Sequence, residues 1–106
     1  MRVRLVLQYF DGCPNHGAMR EHLLQAIRGM EEKVDLTEVR VEDRETAARV
    51  QFRGSPTLLI NDEDLAGMPP PDDASLCCRF YPQGVPSVAF IRQKVERAFA
   101  DKGSQR

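Results

Sequence analysis

Apolar residues change their period several times along the chain, and each change marks an element. Residues 3–10, VRLVLQYF, are largely apolar on both alternating faces, which predicts a buried central strand that Asp11-Gly12 ends. Met19, Leu23, Ala26, Ile27 and Met30 then recur at three- and four-residue spacings. That spacing predicts an amphipathic helix over 14–29, opened by Pro14, whose missing N–H is not needed in a first turn, and closed at Gly29. Residues 34–41 alternate again and predict a second strand, parallel to the first because a helix separates the two. Asp43 is placed to cap a short helix over 44–52 with Ala47, Ala48 and Phe52 on its buried side. Thr57 to Ile60 predicts a third strand and Leu76 to Tyr81 a fourth, with Ser87 capping a last helix whose stripe is Phe90, Ile91, Val95, Ala98 and Phe99. Between the last two strands, NDEDLAGMPPPDDAS (61–75) carries too many prolines and acids for regular structure and predicts a long loop. There is no internal repeat, and the pattern predicts one domain over 1–100 followed by a frayed tail at 101–106.

Composition narrows the function. At 106 residues the chain is long enough for one two-layer core and too short for two. Fifteen Lys and Arg against 16 Asp and Glu leave a net charge of -1, which offers no electrostatic footprint for nucleic acid or an anionic membrane. The apolar start is interrupted by Arg4 and Gln8 and reads neither as a leader nor as a membrane span, so a cytoplasmic location is expected. Three cysteines in such a chain are too few for a disulfide scaffold and point to chemistry instead.

Cys13 stands where the first strand hands over to the first helix. At a helix N-cap its sulfur would face unpaired N–H groups and the positive end of the helix dipole, which favour thiolate; a protonated His16 one turn along would act the same way. Such a cysteine is expected to be partly exposed and the fastest of the three to alkylate near neutral pH. The bland reading of His16 is an ordinary polar residue of a first turn, and His22 reads as surface. Cys77 and Cys78, adjacent on a predicted strand, point to opposite faces, so at most one can look toward Cys13. If 57–60 and 76–81 form an antiparallel hairpin, Cys78 lies ~10 Å from the Pro56 end. That separation exceeds the ~7 Å Cα limit for a disulfide with Cys13. The acids of 61–75 lack the spacing of a calcium loop.

The order strand, helix, strand, helix, strand, loop, strand, helix, with Cys13 at the first junction and Arg53-Gly54-Ser55-Pro56-Thr57 before the third strand, resembles the thioredoxin-like superfamily. The phrases FDGCPN and GSPT, with a later CRxY, resemble more narrowly a group of small, mostly uncharacterised bacterial thioredoxin-like proteins. The resemblance implies an α/β thioredoxin-like fold, βαβαββα, with a four-stranded mixed sheet flanked by three helices. It implies a cis bond before Pro56, a substrate-binding role for Ser55, Pro56 and Thr57, and a redox role for Cys13 with His16. In the narrower group the cysteine of CRxY corresponds to Cys78, the candidate resolving thiol. The chain departs from redox-active thioredoxins in lacking the tryptophan before the cysteine and in having His16 where a CxxC motif has its second cysteine, so dithiol exchange within that motif is excluded.

Three functions are consistent with this pattern. The first is thiol–disulfide exchange of the monothiol type, an oxidoreductase activity without cofactor, with Cys13 as nucleophile and a small thiol such as glutathione, or a protein disulfide, as partner. The second is binding of a soft metal by Cys13, His16 and Cys78; two local ligands are too few for a closed tetrahedral site, so no structural metal is expected. The third is a non-catalytic interaction domain that keeps the fold and has lost the chemistry.

Overall fold

A computed structural model describes residues 2–104 of the chain. Strand β1 (Val3–Tyr9) is followed by helix α1 (His16–Ala26), a 3₁₀ turn at Glu31–Lys33, strand β2 (Val34–Arg40) and helix α2 (Arg44–Val50). Strands β3 (Thr57–Ile60) and β4 (Glu63–Asp64) and helix α3 (Val88–Ser104) complete the order. The sheet runs β2-β1-β3-β4, with β1 and β2 parallel and the pairs β1–β3 and β3–β4 antiparallel.

The alternation of β1 decides the layering. Val3, Leu5 and Leu7 point into the main core with Met19 and Leu23 of α1, Leu58 and Ile60 of β3, and Ile91 and Val95 of α3. A smaller cluster of Val41, Ala47 and Phe52, with Phe10 and Val39 against it, holds α2. A sheet buried on both faces in this way needs the near-continuous apolar strands that the sequence supplies. Helices α1 and α3 are pinned together by Arg92, whose guanidinium donates to the carbonyls of Ala26 and Arg28 at the end of α1, where a cation also offsets the dipole. His22 is half-buried rather than on the surface; its Nδ1 lies 2.7 Å from the Pro86 carbonyl and donates to it, tying α1 to the segment before α3.

Several boundaries move. Helix α1 begins at His16 behind Asn15, which caps it without a side-chain bond, so Cys13 lies in the turn before the helix and not at its N-cap. Asp43 does cap α2, accepting from the Thr46 N–H at 2.7 Å, but the helix ends at Val50, where Gln51 turns into the left-handed region, and Ala48 faces solvent. Ser87 Oγ accepts from the Phe90 N–H at 3.1 Å and starts α3, while Phe90 itself stays partly exposed. The largest change is the fourth strand. It is Glu63–Asp64, inside the expected loop, reached by a tight turn in which Asn61 and Asp62 both have positive φ (51° and 72°). Residues 76–81 form no strand and make only an isolated parallel bridge, Cys78 with Ser55. Among the described residues no helix is long and apolar enough to cross a membrane.

Candidate functional site

The end of β1, the turn before α1, the Gly54–Thr57 turn and the segment 76–81 meet at one point. The Ser55–Pro56 peptide bond is cis. Cys13 reaches this turn from the other side, and its Sγ donates to the Ser55 carbonyl at 3.1 Å. The Ser55 hydroxyl accepts from the Phe10 N–H at 3.2 Å, and Thr57 Oγ1 donates to the Gly54 carbonyl at 2.6 Å. These two side chains fasten the turn to β1 and to itself.

Segment 76–81 lies over the turn as a strap. The Ser55 N–H donates to the Cys77 carbonyl and the Arg79 N–H to the Ser55 carbonyl, both at 2.8 Å. Gly54, at φ +107°, leaves room for this approach: a Cβ there would stand 2.9 Å from Arg79 Cβ and 3.1 Å from its Cα. Arg79 is buried and forms a fork with Asp64 of β4, Nη1 to Oδ1 at 2.6 Å and Nη2 to Oδ2 at 2.9 Å, and Nη1 also reaches Thr57 Oγ1 at 3.3 Å. Asp64 Oδ2 further accepts from the N–H groups of Ala66 and Met68. Burial by itself raises the Asp64 carboxyl, but the hydrogen bonds from Arg79, Met68 and Ala66 outweigh it and hold the group below its ordinary range. Tyr81 closes the strap, donating its hydroxyl to the Pro56 carbonyl at 2.5 Å beneath the Arg79 guanidinium; burial pushes its phenol up to about 12.

The strap overturns the hairpin register expected for Cys78. Because 76–81 runs parallel beside Ser55 rather than back along β3, Cys78 comes to stand next to Cys13. The interaction with the Cys13 side chain is the largest of the effects that push the Cys78 thiol up, and burial adds to it. Cys13 is buried, 8 % exposed, rather than open at a helix end, whereas Cys77 and Cys78 are exposed. Cys13, Cys78, Ser55 and Pro56 are thus brought together.

His16 is not aimed at this sulfur. Its ring stacks on Tyr9 with centroids 3.7 Å apart, and Nε2 lies 3.7 Å from Glu38 of β2, a carboxylate that Arg20 also contacts. The trio Cys13, His16 and Cys78 therefore does not converge as metal ligands; among the described residues no group of three or more His, Cys, Asp or Glu side chains is placed to hold an ion. Ser55, Pro56 and Thr57 are fully buried, because the strap covers them and uses the Ser55 backbone that an extended partner would need. Gly54, Arg79 and Tyr81 lie inside the phrases GSPT and CRxY, but their tasks come from the structure, as does that of Asp64, which the sequence offers only as one acid of a long loop. In the phrase Cys78-Arg79-Phe80-Tyr81, Arg79 and Tyr81 hold the strap to the turn and Cys78 faces Cys13.

No family model matches the chain, and no curated protein does. Solved structures do resemble it. Chloroplastic thioredoxin z superposes with a TM-score of 0.63 at 17 % identity, over 93 % of this chain and 80 % of that one. HBP35 of Porphyromonas gingivalis superposes with a TM-score of 0.64 at 17 % identity over 94 % of this chain, which spans only 33 % of HBP35. Likeness at this identity bears on architecture alone, and together with the mixed four-stranded sheet and its three helices it gives the result: the chain has a thioredoxin-like α/β fold.

Proposed function

We propose that the protein is a thiol–disulfide redox protein in which Cys13 is the nucleophile and Cys78, brought in by the strap, is the resolving thiol. The observation that carries this reading is the placement of Cys78 beside Cys13 at the Ser55–Pro56 turn. Cys13 is assigned the attack from its place at the junction of the first strand and the first helix, and Cys78, whose thiol its neighbour pushes up, the resolving step. The Cys13 thiolate attacks one sulfur of an external disulfide such as glutathione disulfide. That S–S bond breaks, and one glutathione leaves as thiolate and takes up a proton. Cys78 then gives up its proton and attacks the Cys13 sulfur, expelling the second glutathione. One external disulfide becomes two thiols, and two protein thiols become one disulfide, which external thiols reduce in the reverse sequence. The exposed Cys78 edge gives a small disulfide its approach. A cavity of ≈ 460 Å³ lined by residues 81–87 and Phe90 begins at Tyr81 and offers room for a glutathione-sized partner.

Treating the reduced protein with glutathione disulfide and mapping the thiols by mass spectrometry tests this. The wild type is expected to form an internal disulfide, and Cys78→Ser to stop at a glutathione mixed disulfide on Cys13. Glutathione-driven reduction of a small disulfide should be lost in Cys13→Ser. An unchanged rate in Cys13→Ser would overturn the reading.

A further inference from the structure

Two adjacent thiols, Cys77 and Cys78, compete for one partner, and only the register of the strap decides between them. Neighbouring residues of an extended segment point to opposite sides, so a slip of one residue would turn Cys78 away from Cys13 and bring Cys77 round. The two backbone bonds to Ser55 carry no side-chain information and would form again after such a slip. The Arg79–Asp64 fork would not. Its side chains are 5 % and 1 % exposed, and Asp64 is already fixed by the Ala66 and Met68 N–H groups. A slipped strap would set Cys78 or Phe80 against that carboxylate and leave a buried charge unpaired, which costs far more than the net stability the pair adds when formed.

We propose that Arg79, acting through Asp64, is the positioning residue that selects Cys78 over Cys77 as the resolving thiol for Cys13. The inference rests on the thiol-redox reading above. It gives the buried ion pair a task that stability alone does not explain: a salt bridge in the interior contributes little net stability but penalises every register except one. Tyr81, bonded to the Pro56 carbonyl two residues farther on, holds the same register.

The test equilibrates the full chain in glutathione redox buffers, quenches with acid, alkylates the remaining thiols and maps disulfide connectivity. Wild type is expected to show Cys13–Cys78 as its internal disulfide, with Cys77 alkylated. In Arg79→Met and Asp64→Asn, Cys13–Cys77 should rise from a trace to the same order as Cys13–Cys78. The internal disulfide should also fall at least tenfold relative to the Cys13–glutathione mixed disulfide, equivalent to ~30 mV for this two-electron couple. Arg79→Lys, which keeps the charge but not the fork, should lie between. If Arg79→Met does not fold, Asp64→Asn and Arg79→Lys give the same readout. A pattern of Cys13–Cys78 alone in the folded variants, at an unchanged ratio, removes the role assigned to Arg79 and leaves the redox reading standing; so does a wild type that pairs Cys13 with Cys77. A wild type that takes up neither an internal disulfide nor glutathione on Cys13 removes both.

Discussion

Replacing Gly54 by alanine probes the strap at the point where two stretches of backbone come closest. The new methyl would lie 2.9 Å from Arg79 Cβ, 3.1 Å from its Cα and 3.2 Å from its N, none of which can swing aside as the end of a flexible side chain would. Overpacking of this kind costs about 1–3 kcal/mol. The backbone at φ +107° adds strain of about 1–3 kcal/mol for any residue with a Cβ. Loss of unfolded-state freedom returns about 0.4–1 kcal/mol. The expected net loss is therefore ~2–5 kcal/mol, a fall in Tm of roughly 8–20 °C at about 4 °C per kcal/mol for a domain of this size. Gly84→Ala is the matched control, because Gly84 has φ +86° but nothing within 4 Å of the added methyl. Urea titrations of both variants, together with the alkylation rate of Cys13, separate strain from collision: Gly54→Ala should be the less stable and should expose Cys13, as the strap lifts. If the two variants lose the same stability and Cys13 alkylates at its wild-type rate in both, the strap does not press on the turn in the way described.

Further outcomes follow from the same contacts. Tyr81→Phe removes the hydrogen bond to the Pro56 carbonyl and should cost about 0.5–1.5 kcal/mol in denaturant titrations. In the wild type, absorbance near 295 nm should show Tyr81 still protonated beyond pH 10 and titrating near 12, and because its folded value is raised, the associated stability is present below pH 10 and is lost as pH rises toward that value. Asp64 behaves oppositely: its depressed carboxyl contributes stability above the ordinary aspartate value of 3.8 that is lost as pH falls through the lower folded value, and Asp64→Asn should flatten that acid limb of the stability curve. In a Cys78→Ser background, His16→Cys should form an internal disulfide with Cys13, since the His16 N–H bonds to the Cys13 carbonyl in a single turn; two free thiols after oxidation would refute the placement. Leu5→Ala, at the centre of the main core, should cost about 2–5 kcal/mol.

What could be read from the sequence was whatever burial or local hydrogen bonding writes into consecutive residues. β1 and β3 must be apolar to lie inside the sheet, and the heptad-like spacing of Met19, Leu23 and Ile27, or of Ile91, Val95 and Ala98, is the direct imprint of one buried helix face. Asp43 and Ser87 act within three residues of themselves, so their caps show in the local sequence. Strand β4 leaves no such imprint. Asp and Glu are poor strand formers, and the two residues join the sheet through backbone pairing with Leu59 and Ile60 after a turn that only the Asn-Asp pair announces.

The course of the strap is hidden in the sequence for a related reason. Leu76 to Tyr81 is a short, mostly apolar run that reads as a strand, and a strand that follows another in sequence is most simply placed antiparallel to it, which carries Cys78 away from Pro56. What decides its actual course is a set of contacts between distant residues: Ser55 with Cys77 and Arg79, Tyr81 with Pro56, Arg79 with Asp64. None of these has a periodicity. A buried arginine is costly unless a carboxylate meets it, so the physical trace they leave in the sequence is a pairing rule between Arg79 and one of the several acids of 61–75, without saying which. Selecting Asp64 requires β4, and β4 is itself the element that periodicity cannot see. The surroundings of Cys13 depend on that chain of placements: with β4 in the sheet Asp64 is buried, the buried Asp64 pairs with Arg79, and the strap that carries Arg79 sets Cys78 beside Ser55 and Cys13.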